Sequence, residues 1–186
     1  MAYPTIEGSI YGSGVSWASS HSITLPTSIQ KDEYIIGFVG SEAGAHTIYS
    51  SSGNFYISST VSDPFADCHM SCFFGKALGG GSDNITIKFY KSNIPSWIVY
   101  RISGHGMLSN LDFNFNFDVS VSTSNFNSPN MAVSDSGDKL WINAVTYNRR
   151  VTNFGAPSGF IGLIHNEDID GAIDDGHVGI ATSYVE

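Results

Sequence analysis

The sequence predicts an all-β fold, a single-domain β-sandwich of jelly-roll-like build with roughly ten short antiparallel strands. Three observations carry that expectation. Alternating apolar and polar runs recur along the whole chain, separated by clusters of Gly, Pro, Asn, Asp and Ser. No segment has a helical apolar period long enough to bury a face; the best candidates, residues 29–34 and 166–175, are too short or too acidic. Charged residues make up 13% of the 186 positions and hydrophobic ones 41%, so the core is well supplied and the surface relies on hydroxyls and amides.

The strands follow in order. HSITLP (21–26) runs into the turn region TSIQKDE, and EYIIGFVGS (33–41) comes next, apolar on both faces. FYISST (55–60) precedes the loop VSDPFAD and the strand CHMSCFFGKAL (68–78). GGGSDN (79–84) is a strong turn signal. NITIKFYKS (84–92) alternates cleanly, with Ile85, Ile87 and Phe89 on one face and Thr86, Lys88 and Tyr90 on the other. SNIPS then turns the chain into SWIVYRISG (96–104). NFDVSVSTS (116–124), DKLWINAVTY (138–147), GFIGLIH (159–165) and HVGIATSYV (177–185) complete the set. Trp17, Trp97 and Trp141 are expected to fill the space between two sheets, with most of the Phe and Ile. Residues 1–186 read as one domain, with 1–15 as an extended N-terminal arm.

Bulk properties exclude several functions. Eight Lys and Arg against seventeen Asp and Glu give a formal charge of −9, and no basic stripe exists to displace phosphate counterions. Nucleic acid is therefore not an expected partner. No stretch approaches the roughly 18 to 20 apolar residues of a membrane span, and the N-terminus lacks the pattern of a signal peptide. The expectation is a soluble chain made in a cytoplasm, with no membrane partner.

The two cysteines lie in CHMSC. In a strand, four residues separate Cys68 from Cys72 by about 13 Å, too far for a disulfide or a shared zinc. On a helix they would sit one turn apart with His69 beside them, and a metal site would follow. Phe73, Phe74 and Gly75 favour the strand, and with it buried free thiols.

HNEDIDGAIDDGH (165–177) overlays a calcium loop, with Asn166, Asp168 and Asp170 on the first three ligand positions and Gly171 on the turn glycine. Asp174 takes the ninth position. The twelfth breaks the pattern, because His177 stands where a bidentate Glu belongs. The flanks alternate like strands, whereas an EF-hand needs helices. The expected structure is an acidic hairpin loop, and Asp168, Asp170 and Asp174 are the candidate ligands of a hard cation such as calcium.

Catalytic constellations are not evident. There is no G-x-S-x-G; Gly12-Ser13-Gly14 has no following helix to form a nucleophile elbow. Asp and Glu concentrate in loops, and the six histidines show no H-x-H or H-E-x-x-H spacing. Two surfaces suit binding. In LDFNFNFD (111–118), Leu111, Phe113, Phe115 and Phe117 line one face of a strand, against a core or a neighbouring subunit. Tyr49, Phe55, Tyr56, Phe113, Phe115 and Phe126 lie near Asn-rich segments, the combination with which sandwich lectins stack and hydrogen-bond sugars.

Seven short motifs then point to a family. In order they are Ser16–Trp17, SHSITLP with its core at His21 to Pro26, ALGG (77–80), WIVYRISG (97–104), DKLWI (138–142), PSGF (157–160) and ATSY (181–184). Together they resemble small structural proteins of tailed bacteriophages, often marine ones. Each motif is weak alone; their shared order over most of the chain is the signal. The chain departs at QKDEYII, where relatives read AGDLL, and in its more acidic loop after FIGLIH. The resemblance implies a jelly-roll or concanavalin-like sandwich carried on a virion, and it supplies no catalytic residues. The expected function is therefore a non-enzymatic capsid decoration (cement) protein on the outer head surface. Its expected partners are the major capsid protein or other virion proteins, and its expected assembly is a homo-oligomer, taken as a trimer. The alternative is a receptor- or glycan-binding module of a tail or head fibre, with a host glycan as ligand. No cofactor is expected beyond the candidate calcium.

Overall fold

The computed structural model describes residues 4–25, 29–42, 44–51, 55–61, 69–78, 84–103, 140–148, 158–167 and 178–185. Among them are eleven strands and no helix. They are β1 (Thr5–Ser13), β2 (Ala18–Thr24), β3 (Tyr34–Ser41), β4 (Ala45–Ser50), β5 (Phe55–Val61), β6 (His69–Ala77), β7 (Asn84–Asn93) and β8 (Ser96–Ser103). β9 (Trp141–Asn148), β10 (Ile161–Glu167) and β11 (Val178–Val185) follow. Nine of the ten expected strands are present, and β1 and β4 are additional. The tenth, 116–124, lies outside the described residues.

The first eight strands form a jelly roll. A central sheet has the order β1-β8-β3-β6-β5, and a second sheet the order β2-β7-β4. β1 pairs with β8, β2 with β7 and β3 with β6, all antiparallel, while β4 lies against β5. That is one long antiparallel ribbon folded over and wound into two layers. One strand departs from the simplest version: β5 keeps its register with β6 from Phe55↔Ala77 to Val61↔Ser71, and it only contacts β4. It thus closes one side of the sandwich from the central sheet.

Between these two sheets lies the first core. Ile23, Ile48, Ile85, Ile87 and Phe89 come from the second sheet, and Ile35, Val39, Phe73 and Val99 from the central one. The period-two pattern of β7 sets this arrangement, since Ile85, Ile87 and Phe89 are buried while Asn84, Lys88 and Tyr90 are exposed. Each fully buried side chain of this size contributes about 1.5 to 3 kcal/mol of transfer free energy.

The central sheet is buried on its other face as well. β10-β11-β9 forms a third sheet. β10 lies over β1 and β8, β11 over β8 and β3, and β9 over β3 and β6. The second core sits here, built on Ile36, Phe38, Cys72, Ile98, Tyr100, Ile102 and Ile180, with Leu140, Ile142, Ile164 and Tyr184 packed around it. β3 is therefore apolar on both faces because it belongs to a middle layer, and Ile35 and Ile36 point into different cores.

Two expectations need correction. Residues 5–13 do not stand off as an arm; they are edge strand β1, paired with β8 from Thr5↔Ser103 to Ser13↔Ser96. A bulge between Ile6 and Gly8 adds one residue to β1. It sends Ile6 into the second core and Ile10 against the first, which an unbroken period of two would not do. The tryptophans also divide. Trp97 packs on the first core, Trp141 is half-buried at the start of β9, and Trp17 is exposed. Trp17 precedes the first paired residue of β2, Ala18, so no sheet face directs its indole inward.

Candidate functional site

Three of the seven motifs, WIVYRISG, DKLWI and ATSY, meet at the junction of the central and third sheets. Tyr100 of WIVYRISG and Thr182 of ATSY hydrogen-bond through their hydroxyls, and both are buried. The rings of Tyr100 and Tyr184 meet edge-on, 6.2 Å between centroids and 73° between planes. Leu140 and Ile142 of DKLWI join the same core. Burial raises the Tyr100 phenol above its ordinary value, and the bond to Thr182 opposes this only in part. These residues fasten one layer to another.

Arg101 of WIVYRISG and His21 of SHSITLP also hold structure. Arg101 lies between Glu33, 3.5 Å from its Nε, and Glu7 of β1. The Glu33 carboxylate in turn accepts the Gln30 N–H at 2.8 Å, closing the turn before β3. At that turn Asp32 adopts a left-handed φ of 68° and pairs with Lys76 on β6 at 2.8 Å. His21 Nε2 lies 3.1 Å from the Ala18 carbonyl and 3.0 Å from that of Asn93. Both neighbours only accept, so Nε2 carries the proton and the ring serves as a structural staple.

Among the described residues two surfaces stand out as exposed. The first is the edge where β1 and β2, each an outer strand of its sheet, follow one another in the chain. Gly14, buried beneath this edge, donates its N–H to the Pro95 carbonyl at 2.8 Å, and a Cβ there would come 2.7 Å from the His21 ring. That tight anchor leaves Tyr11, Val15 and Trp17 outside, with 61%, 88% and 54% of their surfaces exposed. The second is the outward face of β2-β7-β4. There Ser22, Thr86 and Tyr49 form one cross-strand row, and Ser20, Lys88 and Thr47 the next. Ser51 and Thr86 share a hydroxyl–hydroxyl bond of 2.6 Å, and Lys88 Nζ stands 5.6 Å from the centre of the Tyr49 ring.

The sequence-predicted sites fall unevenly on this structure. Leu111, Phe113, Phe115 and Phe117 lie outside the described residues, as do Asp168, Asp170 and Asp174. The flanks of the acidic loop are strands: β10 and β11 pair from Ile161↔Tyr184 to Glu167↔Gly179, and Asn166 sits within β10 opposite Ile180. The two flanks are thus antiparallel partners, and EF-hand helices are ruled out at the borders of the loop. Among the described residues no group of three His, Cys, Asp or Glu is placed to hold a metal. Cys72 is a buried free thiol on β6, and burial pushes it up to about 12. Of the aromatics read as sugar platforms, Tyr49 is exposed, and the side chains of the others lie outside the described set.

Sequence reasoning passed over Tyr11, Val15 and the Lys88–Tyr90 pair as surface sites, and it placed Trp17 in the core. For the pair, the signal was available, because Lys88 and Tyr90 fall on the outward phase of a strand whose inward phase was already assigned. Comparison with protein-family models, curated proteins and solved structures finds no match to this chain.

Proposed function

We propose that this chain is a non-enzymatic structural protein of a bacteriophage virion, a decoration protein that docks on the outer head surface by its β1–β2 edge. The observation that carries the reading is the use of the phage-like motifs. Tyr100, Thr182, Tyr184, Arg101 and His21 all serve packing, bracing and turn closure, so the resemblance is one of architecture. What such a scaffold then offers a partner is its edge. Tyr11, Val15 and Trp17 supply the aromatic and apolar anchors that dominate protein interfaces, beside an outer strand of the central sheet. Major capsid protein is the partner, and a symmetric oligomer, taken as a trimer, lets several weak edges act together.

The test uses the purified full chain and mature capsids that lack it. Binding in co-sedimentation is expected, with loss of at least about tenfold in affinity for Tyr11→Ser combined with Trp17→Ser. Sedimentation velocity of the free chain checks the trimer. A chain that leaves such capsids bare would sink the decoration role.

A further inference from the structure

We propose that the outward face of the β2-β7-β4 sheet is a binding platform for an acidic polysaccharide, with Tyr90 as its stacking surface and Lys88 as its carboxylate anchor. The face is built by the same alternation that fills the core. With Ile85, Ile87 and Phe89 turned inward, Thr86, Lys88 and Tyr90 must point outward along the central strand of the sheet. β2 contributes Ser22 on one side, and β4 contributes Thr47 and Tyr49 on the other.

Each part has a chemical role. Tyr90 is 78% exposed, an aromatic ring in water that a sugar's C–H face covers well. It is anchored at its root, where its backbone N–H meets the Gly44 carbonyl at 3.4 Å. Lys88 lies two residues away on the same strand and face, about 7 Å along the strand. Its ammonium stands over the Tyr49 ring, which holds a flexible side chain near one position and lowers the ordering cost of binding. Thr47 and Thr86 flank it with hydroxyls, which both donate and accept and so match sugar hydroxyls. A ring stacked on Tyr90 thus puts a carboxylate of the same or the next sugar within reach of Lys88.

Charge selects the acidic class. The chain carries seventeen Asp and Glu, yet β2, β4 and β7 contain none, while β7 carries Lys88 and Lys91. On a molecule of net charge −9, a sheet whose three strands carry lysines and no carboxylate is a place where a polyanion meets cations without opposing acids. The inference does not rest on the virion reading. Capsid docking maps to Tyr11 and Trp17, and glycan retention maps to Tyr90 and Lys88, so either can fail alone.

Affinity gel electrophoresis of the full chain, with polygalacturonate or with neutral dextran cast in the gel, tests this. Polygalacturonate is expected to retard the chain and dextran to do so much less. Tyr90→Ala should weaken retardation by roughly tenfold, and Lys88→Gln should weaken it similarly while flattening its salt dependence. Both side chains are exposed, so an unchanged thermal midpoint confirms that the variants fold. Three results would each overturn the proposal: no retardation by polygalacturonate, retardation untouched by Tyr90→Ala, or equal retardation by dextran.

Discussion

The hydroxyls of Tyr100 on β8 and Thr182 on β11 hydrogen-bond to each other inside the junction between the central and third sheets. Eighty-two residues separate them in sequence, so this bond ties the C-terminal sheet to the jelly roll. Both groups are buried, and a buried hydroxyl that loses its partner costs about 1 to 3 kcal/mol. Tyr100→Phe should therefore destabilise the chain by that amount in urea unfolding. Thr182→Val added to it should restore much of the loss, since removing both polar groups leaves none unsatisfied. Additive losses in the double variant would show that the two hydroxyls do not act as a pair.

Gly37 and Phe73 are register partners on β3 and β6, and the Phe73 ring occupies the space above the glycine. A Cβ on Gly37 would sit 2.1 Å from the ring edge. The ring is fully buried and close-packed, so it cannot swing away at low cost. Gly37→Ala is expected to cost at least about 1 to 3 kcal/mol through overpacking. Combining it with Phe73→Leu should give a double variant less destabilised than the sum of the two. A neutral Gly37→Ala in chemical denaturation would contradict the packing described.

These two glycine and tyrosine positions show where sequence reading reaches its limit. β7 was legible because residues 84–90 obey one alternation. β3 carried a stronger message than it was given: YIIGFVGS is apolar on both phases, which a strand in a two-layer sandwich does not need. It marks the middle of three layers. β1 was hidden because TIEGSIYGS has only Ile6 and Ile10 as aliphatic anchors, and a bulge sends them to opposite faces. Trp17 misled because a large aromatic near a strand suggests core, whereas its place before the first paired residue decides its exposure. Tyr100 and Thr182 could be assigned to strands, but no local pattern says that two strands eighty-two residues apart will stack. The surface platform was readable in part, as the complement of the core phase of β7.

Gly162 adopts a left-handed φ of 63° at the bulge between Ile161 and Ile164 of β10, and a Cβ there would lie 2.2 Å from the Tyr184 ring. Backbone and packing both demand glycine. Gly162→Ala should cost about 1 to 2 kcal/mol for the backbone alone, and more from the ring contact. In a Tyr184→Ala background only the backbone part should remain. Equal penalties in the two backgrounds, measured by urea unfolding, would exclude the ring contact.

Cys72 gives the fold a sensitivity to alkali. Its thiol is pushed from 9.0 up to about 12 by burial, which disfavours the thiolate on folding. The unfolded chain therefore loses this proton first. The group's contribution to stability is intact below pH 9.0 and is lost as pH climbs through that value toward about 12. Integrated over that window the loss approaches about 3 to 4 kcal/mol. Tyr100, also raised by burial, adds a loss of the same sign above its ordinary range. Cys72→Ala removes the thiol part alone. It should start less stable than the natural chain at neutral pH because of the cavity, and the gap between them should narrow as pH rises. Urea unfolding of both chains at neutral and alkaline pH measures that gap. A constant difference across the range would mean that Cys72 is not desolvated in the folded protein.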